Sequence, residues 1–328
     1  MNLKFDVIIP VYKPDECLYE LIRKLNAQTC KPERILLINT EEAYFQALPG
    51  SEHLTEEFPT VSVVHIKKEQ FDHGATRRFG VAMTDCPYFV MMTQDAIPAD
   101  DMLFEQLLNA FREPLAKLPE TADGRLTAQP QVAVAYARQL ADEKSGVLEK
   151  ISRDFNYPAA SCVKTLADLP QLGIKTFFCS DVCAMYRREF YEAQGGFVER
   201  AIFNEDMIYA HSAISAGYAI AYVAEAKVVH SHNYTNCQQF HRNFDLGVSQ
   251  AQHPEVFAGV KSESEGKKLV KTANRKLLRE GKWYLLPHFY MQCVSKYAGY
   301  LLGKNYRSLP KKIVLKCTTN PNYFAEKN

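Results

Sequence analysis

Four short apolar runs, spaced by segments of helical periodicity, constrain this chain more than any other feature. "KFDVIIPVY", "ERILLIN", "VSVVHI" and "YFVMMTQD" all lie in the first hundred residues, and each is largely apolar along its length. A strand without a polar face must be covered on both sides, which is the signature of a parallel sheet between helices. The intervening segments supply helices. "DECLYELIRKLNAQT" carries Leu18, Leu21, Ile22 and Leu25 at helical spacing, with Asp15 as a cap, and "GATRRFGVAMTD" follows the third strand. Ligands of such sheets bind beyond the carboxyl ends of the strands.

Further along, "MLFEQLLNAF" reads as a helix and "VAVAYA" as a strand. Residues 138–176 are polar, with turn signals at Asn156, Pro158 and Gly173, and are expected to form a flexible, loop-rich element on the acceptor side. "FCSDVCAMYRREFYEAQGGF" predicts a strand and a short helix, and "NEDMIYAHSAISAG" a helix stopped by Gly217. "AIAYVAEAKVVHSHNY" is expected to be a pair of strands closing the sheet. A shift in composition near residue 234 separates a basic, aromatic C-terminal part. The expected organisation is an α/β domain over 1–234, with halves of about 1–100 and 101–234, followed by a mainly helical region over 235–328.

Composition narrows the function. No stretch has the ~18 uninterrupted apolar residues of a spanning helix, and the opening "MNLKFDVIIPVYKPDE" has too short an apolar run for a signal peptide. A cytoplasmic location is therefore expected, with the nine scattered cysteines as reduced thiols. Cys179 and Cys183 have no second pair to complete a zinc site. Net charge is only +1, yet residues 261–316 hold fourteen Lys/Arg against three Glu. That segment suits an anionic partner, and its aromatic content suits a membrane surface rather than nucleic acid.

Four elements converge on one end of the sheet. In "FDHGATRR", Gly74 permits close backbone approach, the helix start offers N–H groups, and His73, Arg77 and Arg78 add positive charge, an arrangement that cradles phosphate. Asp95 ends the fourth strand as either a turn cap or an anchor for a divalent cation. Glu205 and Asp206 open a helix as either a capping pair or a site for a general base. His230 and His232, two apart on one strand, are either structural histidines or metal ligands. The sequence has no GxGxxG after the first strand and no GxxxxGK[ST]. The loop "PVYKPDE" has no glycine, which also argues against a nucleotidyltransferase.

Taken in order, "VIIPVYK", "HGATRR", "TQDAIPAD", "GGFVERAIFNED" and "AEAKVVHSH" resemble the inverting family 2 glycosyltransferases of the GT-A fold. Within them the chain looks most like the rhamnosyltransferase branch of cell-surface polysaccharide assembly. The likeness covers about residues 5 to 234 and continues into "KYAGYLLGKNYRSLP". It implies an α/β fold, Rossmann-like, with a mostly parallel sheet and a C-terminal helical extension. It implies that Pro10, Val11 and Tyr12 line the nucleotide, with Asn39 standing where the family has an acid and Glu41 nearby. His73, Gly74, Arg77 and Gln94 would complete the nucleotide-sugar site. Thr93 replaces the first carboxylate of the family's DxD, so Asp95 and His230 would hold Mg²⁺ or Mn²⁺. Asp206 would be the base and Glu205 its support.

The implied reaction is a single displacement. Asp206 deprotonates an acceptor hydroxyl as it attacks the anomeric carbon of a nucleotide-sugar, with dTDP-rhamnose the expected donor and a UDP-hexose the alternative. The expected acceptor is a glycan or lipid-linked glycan, with membrane-surface contact through residues 261–316 and the enzyme peripheral on the inner face of the cell membrane. The rival reading is a non-catalytic binding module, which needs no base at Asp206.

Overall fold

In the computed structural model, the described residues are 3–112, 130–259 and 263–325. The N-terminal part alternates strands and helices as the apolar runs require. Its elements are β1 (Phe5–Tyr12), α1 (Cys17–Asn26), β2 (Arg34–Thr40), short α2 (Glu42–Gln46) and α3 (Leu54–Glu57), β3 (Val61–Ile66), α4 (His73–Ala82) and β4 (Tyr88–Met92). Then come β5 (Ile97–Pro98), α5 (Leu103–Arg112), β6 (Val132–Leu140), α6 (Val147–Asn156), β7 (Cys162–Lys164) and α7 (Leu169–Leu172). The last sheet elements are β8 (Cys183–Arg187), α8 (Arg188–Ala193), α9 (Glu205–Ser215) and β9 (Ala219–Val229). Helices α10 (Asn236–Gln252), α11 (Pro254–Phe257), α12 (Glu263–Arg279), α13 (Leu286–Lys304) and α14 (Lys311–Cys317) complete the chain. Lys261, part of the basic segment, lies outside the described residues.

The strand order is β3-β2-β1-β4-β8-β6-β9-β5, with β7 also on β9. Strands β1 to β4 pair in parallel, as the sequence predicts. The other half is mixed: β8 runs antiparallel between β4 and β6, whereas β6 and β9 are parallel to each other. The expected strand pair after Ala219 is instead one strand of 11 residues, because no turn-forming Gly, Pro or Asn interrupts it. The loop-rich element expected over 138–176 contains a full helix, α6, whose Val147, Leu148 and Ile151 pack against α12 and α13.

The sheet is buried on both faces. Val7, Ile9 and Val11 of β1 meet α1 and α5 on one side, and Ile8 meets α4 on the other. Each fully buried Leu or Ile side chain contributes about 1.5–3 kcal/mol. Helix α4 rides close to the sheet at Gly80, where a Cβ would stand 2.5 Å from Ile8 Cγ2.

The C-terminal helices pack on the catalytic part through two clusters. Phe244, Val248, Val314 and Tyr323 join Ile202, while Ala273, Leu277 and Phe289 join Ile151. Helices α10 and α13 touch backbone to backbone. A Cβ on Gly299 would lie 2.2 Å from the Phe240 oxygen and one on Gly303 2.0 Å from that of Phe244. No helix among the described residues is long and apolar enough to cross a membrane.

Candidate active site

The carboxyl ends of β4 and β9 and the starts of α4 and α9 surround one cavity of about 530 Å³. Asp95 follows β4, and His230 and His232 follow β9. The parallel half of the sheet and the β6–β9 pair thus deliver their ends to the same place. His230 Nδ1 stands 3.3 Å from Asp95 Oδ1, and His232 Nε2 stands 3.3 Å from Asp95 Oδ2. The ligand atoms of these three residues lie within 4.8 Å of one another. His230 Nδ1 is buried without a hydrogen-bond partner, and so is Thr93 Oγ1, which also lines the cavity. Burial and the charge of His230 hold His232 down to about 4, so its imidazole is neutral and its lone pair is free to ligate. Burial alone would raise Asp95, but His230, then Thr93 and His232 around it, hold it well below the usual carboxylate range. An orphaned imidazole nitrogen, a neutral imidazole and an ionised carboxylate fit a divalent cation.

Across the cavity lies a buried cluster of acids around one guanidinium. Arg77 of α4 places Nε 3.0 Å from Asp181 Oδ2 and Nη1 3.0 Å from Glu205 Oε1. Asp181 precedes β8 and also accepts from the Tyr186 hydroxyl. Asp206, the next residue after Glu205, accepts from the Asp181 backbone N–H at 3.2 Å and from Met207 at 2.7 Å. Three carboxylates compete for one cation. Burial pushes Glu205 up, but Arg77 and His73 outweigh it, so Glu205 stays ionised. Burial raises Asp181 to about 7 against the pull of Arg77. Burial and the charges of Glu205 and Asp181 raise Asp206 well above the carboxylate range. A carboxylate with raised proton affinity, facing a cavity, is suited to accept a proton.

The loop that carries these acids is held from elsewhere. Asn204 has φ +65, in the left-handed region that Asn tolerates better than most residues. Its side chain donates to Ser249 Oγ of α10 at 3.1 Å, and Ser249 donates back to the Phe203 carbonyl at 2.6 Å.

The family model described as glycosyl transferase family 2 matches residues 6–195. The chain is 35% identical over 94% of its length, and 92% of theirs, to the O-antigen chain rhamnosyltransferase RfbN of Salmonella typhimurium. It is 33% identical to WbaN of Salmonella anatum, over 93% of this chain and 91% of that one.

The chain is a family 2 glycosyltransferase.

Solved structures agree on the fold of this glycosyltransferase. S. aureus TarS 1-349 matches with a TM-score of 0.53 and 12% identity, over 96% of this chain and 83% of that one. The Pyrobaculum calidifontis mannosyltransferase PcManGT, solved with GDP-Man and Mn²⁺, matches with a TM-score of 0.51 and 15% identity, over 98% and 84%.

The structure of the glycosyltransferase brings His73, Arg77, Asp95, Glu205, Asp206 and His230 around the cavity. The other expected residues lie at the ends of β1, β2 and β4. The side chain of Val11 is buried in the core, leaving Pro10 and Tyr12 at the end of β1. The Gln94 amide pairs both ways with the Tyr12 backbone, at 2.9 and 3.1 Å, and so ties the ends of β1 and β4 together. Asn39 is fully buried, 2.9 Å from His65 Nδ1, with its Oδ1 unpartnered. The Glu41 carboxylate accepts from the Lys68 backbone.

Two details of the phosphate cradle are corrected. The N–H groups of Gly74 and Ala75 are taken by the Asp72 carboxylate, at 2.9 and 3.0 Å. Gly74 is small because a Cβ would lie 1.8 Å from the Val198 oxygen, a packing requirement. The Arg77 guanidinium faces Asp181 and Glu205 rather than free space. Asp72, Asp181 and Arg242 were not expected at the site, and Lys296 was expected in the membrane-facing basic segment instead. Asp72 had a local signal, since it directly precedes a helix start; the others are joined to the site only by the tertiary fold.

Proposed function

We propose that the chain is an inverting rhamnosyltransferase that moves L-rhamnose from dTDP-rhamnose to a hydroxyl of a lipid-linked glycan. The observation that carries this reading is Asp206, a carboxylate of raised proton affinity, facing the Asp95–His230–His232 cluster across one cavity. The sugar and the polysaccharide context are carried over from the printed functions of the two Salmonella relatives.

Asp206 takes the proton of the acceptor hydroxyl while the oxygen attacks the anomeric carbon, so no enzyme-bound sugar intermediate is required. Arg77 keeps Glu205 and Asp181 in register behind it, and Glu205, ionised, raises the proton affinity of Asp206. Asp95, His230 and His232 would hold a divalent cation, which neutralises charge on the departing diphosphate when bound. Two imidazoles with one carboxylate favour Mn²⁺ over Mg²⁺, because imidazole nitrogen is a poor ligand for the harder ion. Pro10 and Tyr12 would serve the nucleotide at the end of β1, with the buried Asn39 only supporting the end of β2 behind them. An edge-on Tyr12–Tyr44 pair lies there, with ring centres 5.5 Å apart.

The outer face of α13 supports contact with a bilayer at the cytoplasmic side. Tyr290, Val294, Tyr297 and Leu301 fall on one exposed stripe, continued by Trp283 and Tyr284. Lys304, Arg307, Lys311 and Lys312 follow it. Of the residues expected there, Phe289 turns inward instead, joined by the partly buried Leu285 and Leu286.

The test is thermal-shift binding of dTDP, UDP, GDP and CDP, each with and without Mn²⁺, followed by donor turnover. A metal-dependent shift with dTDP and release of dTDP from dTDP-rhamnose are expected. A UDP-selective shift would replace the sugar, and no shift with any nucleotide would overturn the transferase reading.

A further inference from the structure

Two cations in the cavity have no carboxylate partner. Arg242 comes from α10 and Lys296 from α13, and both line the cavity that holds Asp95, His230 and Asp206. Neither forms an ion pair with a carboxylate among the described residues. The Arg242 guanidinium is held by two rings, 4.7 Å from the centre of Phe203 and 5.6 Å from that of Tyr234. Phe203 immediately precedes Asn204 and the acids, whereas the Tyr234 ring lies 4.8 Å from that of His232. Arg242 therefore bridges the wall with the base and the wall with the Asp–His cluster. Aromatic faces fix a guanidinium without neutralising it.

Lys296 sits on the inner side of α13, on the helix face shared with Gly299 and Gly303 and opposite the exposed stripe. Burial chiefly lowers its proton affinity, and Cys293 and Glu149 pull it back up against the weaker push of Arg242 and Arg153. Arg153 adjoins the pair but is committed, with Nε 2.7 Å from Glu149 Oε1. Cations held in a partly buried site without a close ion pair are costly unless an anion joins them. A diphosphate has the charge for both, and its oxygens match the forked donors of an arginine.

We propose that Arg242 and Lys296 form a diphosphate-binding wall, supplied by the C-terminal helices and facing the Asp95–His230–His232 cluster. The inference rests on the transferase reading for the identity of its ligand. That diphosphate belongs either to the nucleotide leaving the sugar or to the linkage of a lipid-bound acceptor.

The probe is inorganic pyrophosphate, titrated calorimetrically into the full-length protein with Mn²⁺ present. Arg242→Gln and Lys296→Met should each weaken binding about tenfold or more, as loss of a charged hydrogen bond does, and Arg242→Lys should recover part of it. Circular dichroism confirms that each variant is folded, and Lys296→Met, which keeps the bulk of the side chain, serves if Arg242→Gln is not. Competition by dTDP assigns the wall to the donor, and competition by farnesyl diphosphate assigns it to the acceptor. Unchanged pyrophosphate affinity in both variants, or competition by neither compound, overturns the proposal. If pyrophosphate binds through Arg242 but no nucleotide-sugar is turned over, the diphosphate wall stands and the transferase reading falls.

Discussion

Asn204 and Ser249 are 45 positions apart in sequence, yet their side chains meet at 3.1 Å and join the loop bearing the acids to α10. Ser249 is almost fully buried, so its loss leaves the Asn204 amide without a partner in a dry place. Ser249→Ala should destabilise the protein by about 1–3 kcal/mol and lower kcat more than it changes donor affinity. Urea unfolding with steady-state kinetics checks both. An unaltered kcat in a destabilised protein would show that the tie serves the fold alone.

Asp206→Asn removes the proton acceptor while keeping size and most hydrogen bonds. Since general-base catalysis contributes typically ~10²–10⁴-fold, kcat should fall by about that factor with donor Kd near its original value. Rapid-quench turnover and nucleotide titration separate the two quantities.

The acid cluster also gives stability a definite dependence on pH. Asp181 is raised from an ordinary carboxylate value to about 7, and Asp206 is raised in the same direction. The folded state thus holds protons that the unfolded state has released. The contribution is complete below about pH 4 and is lost as pH rises through about 7. Melting temperature should therefore decline from pH 5 to pH 8, with a flatter slope in Asp181→Asn. Scanning calorimetry across that range tests it, and an equal slope in the variant would dismiss Asp181 as its source.

His232→Ala removes one imidazole of the cluster that also includes Asp95 and His230. Its Mn²⁺ affinity, read by electron paramagnetic resonance, should fall about 10- to 100-fold, comparable to losses at tuned metal sites. Wild-type activity should be abolished by EDTA and restored better by Mn²⁺ than by Mg²⁺ at equal concentration.

Gly303→Val would drive a side chain into the Phe244 carbonyl, 2.0 Å from the added Cβ. Overpacking of this kind costs about 1–3 kcal/mol or more, here at the contact that seats α13. Donor turnover and melting temperature should drop together.

How much of this was readable in advance follows from the range of the interactions. Strands β1 to β4 announce themselves because each is buried on both faces, and Asp95 and His230 become candidates because parallel strands present their carboxyl ends together. The place of Asp206 at a helix start leaves a cap and a base equally open, and only the family resemblance points to the base. The order of the second half of the sheet is not legible, since inserting β8 antiparallel between β4 and β6 leaves no local trace in "CAMYR". Helix α6 was missed because its apolar residues are few and its flanks are rich in turn formers. Arg242 and Lys296 look like any basic residues on amphipathic helices. Only the close contact at Gly299 and Gly303 brings them to the cavity.

The position of Arg242 and Lys296 so late in the chain also bears on how the molecule is made. Every strand of the sheet and the acids Asp181, Glu205 and Asp206 precede α10, whereas Lys296 comes later still, on α13. At a synthesis rate of about 5–20 residues per second, several seconds separate Asp206 from Lys296 on the ribosome. In that interval the nascent sheet carries its carboxylates without the two late cations, and the Asn204 loop without Ser249. On the proposed diphosphate wall, ligand binding would therefore have to wait for α10 and α13, although the acids and the sheet are made before them.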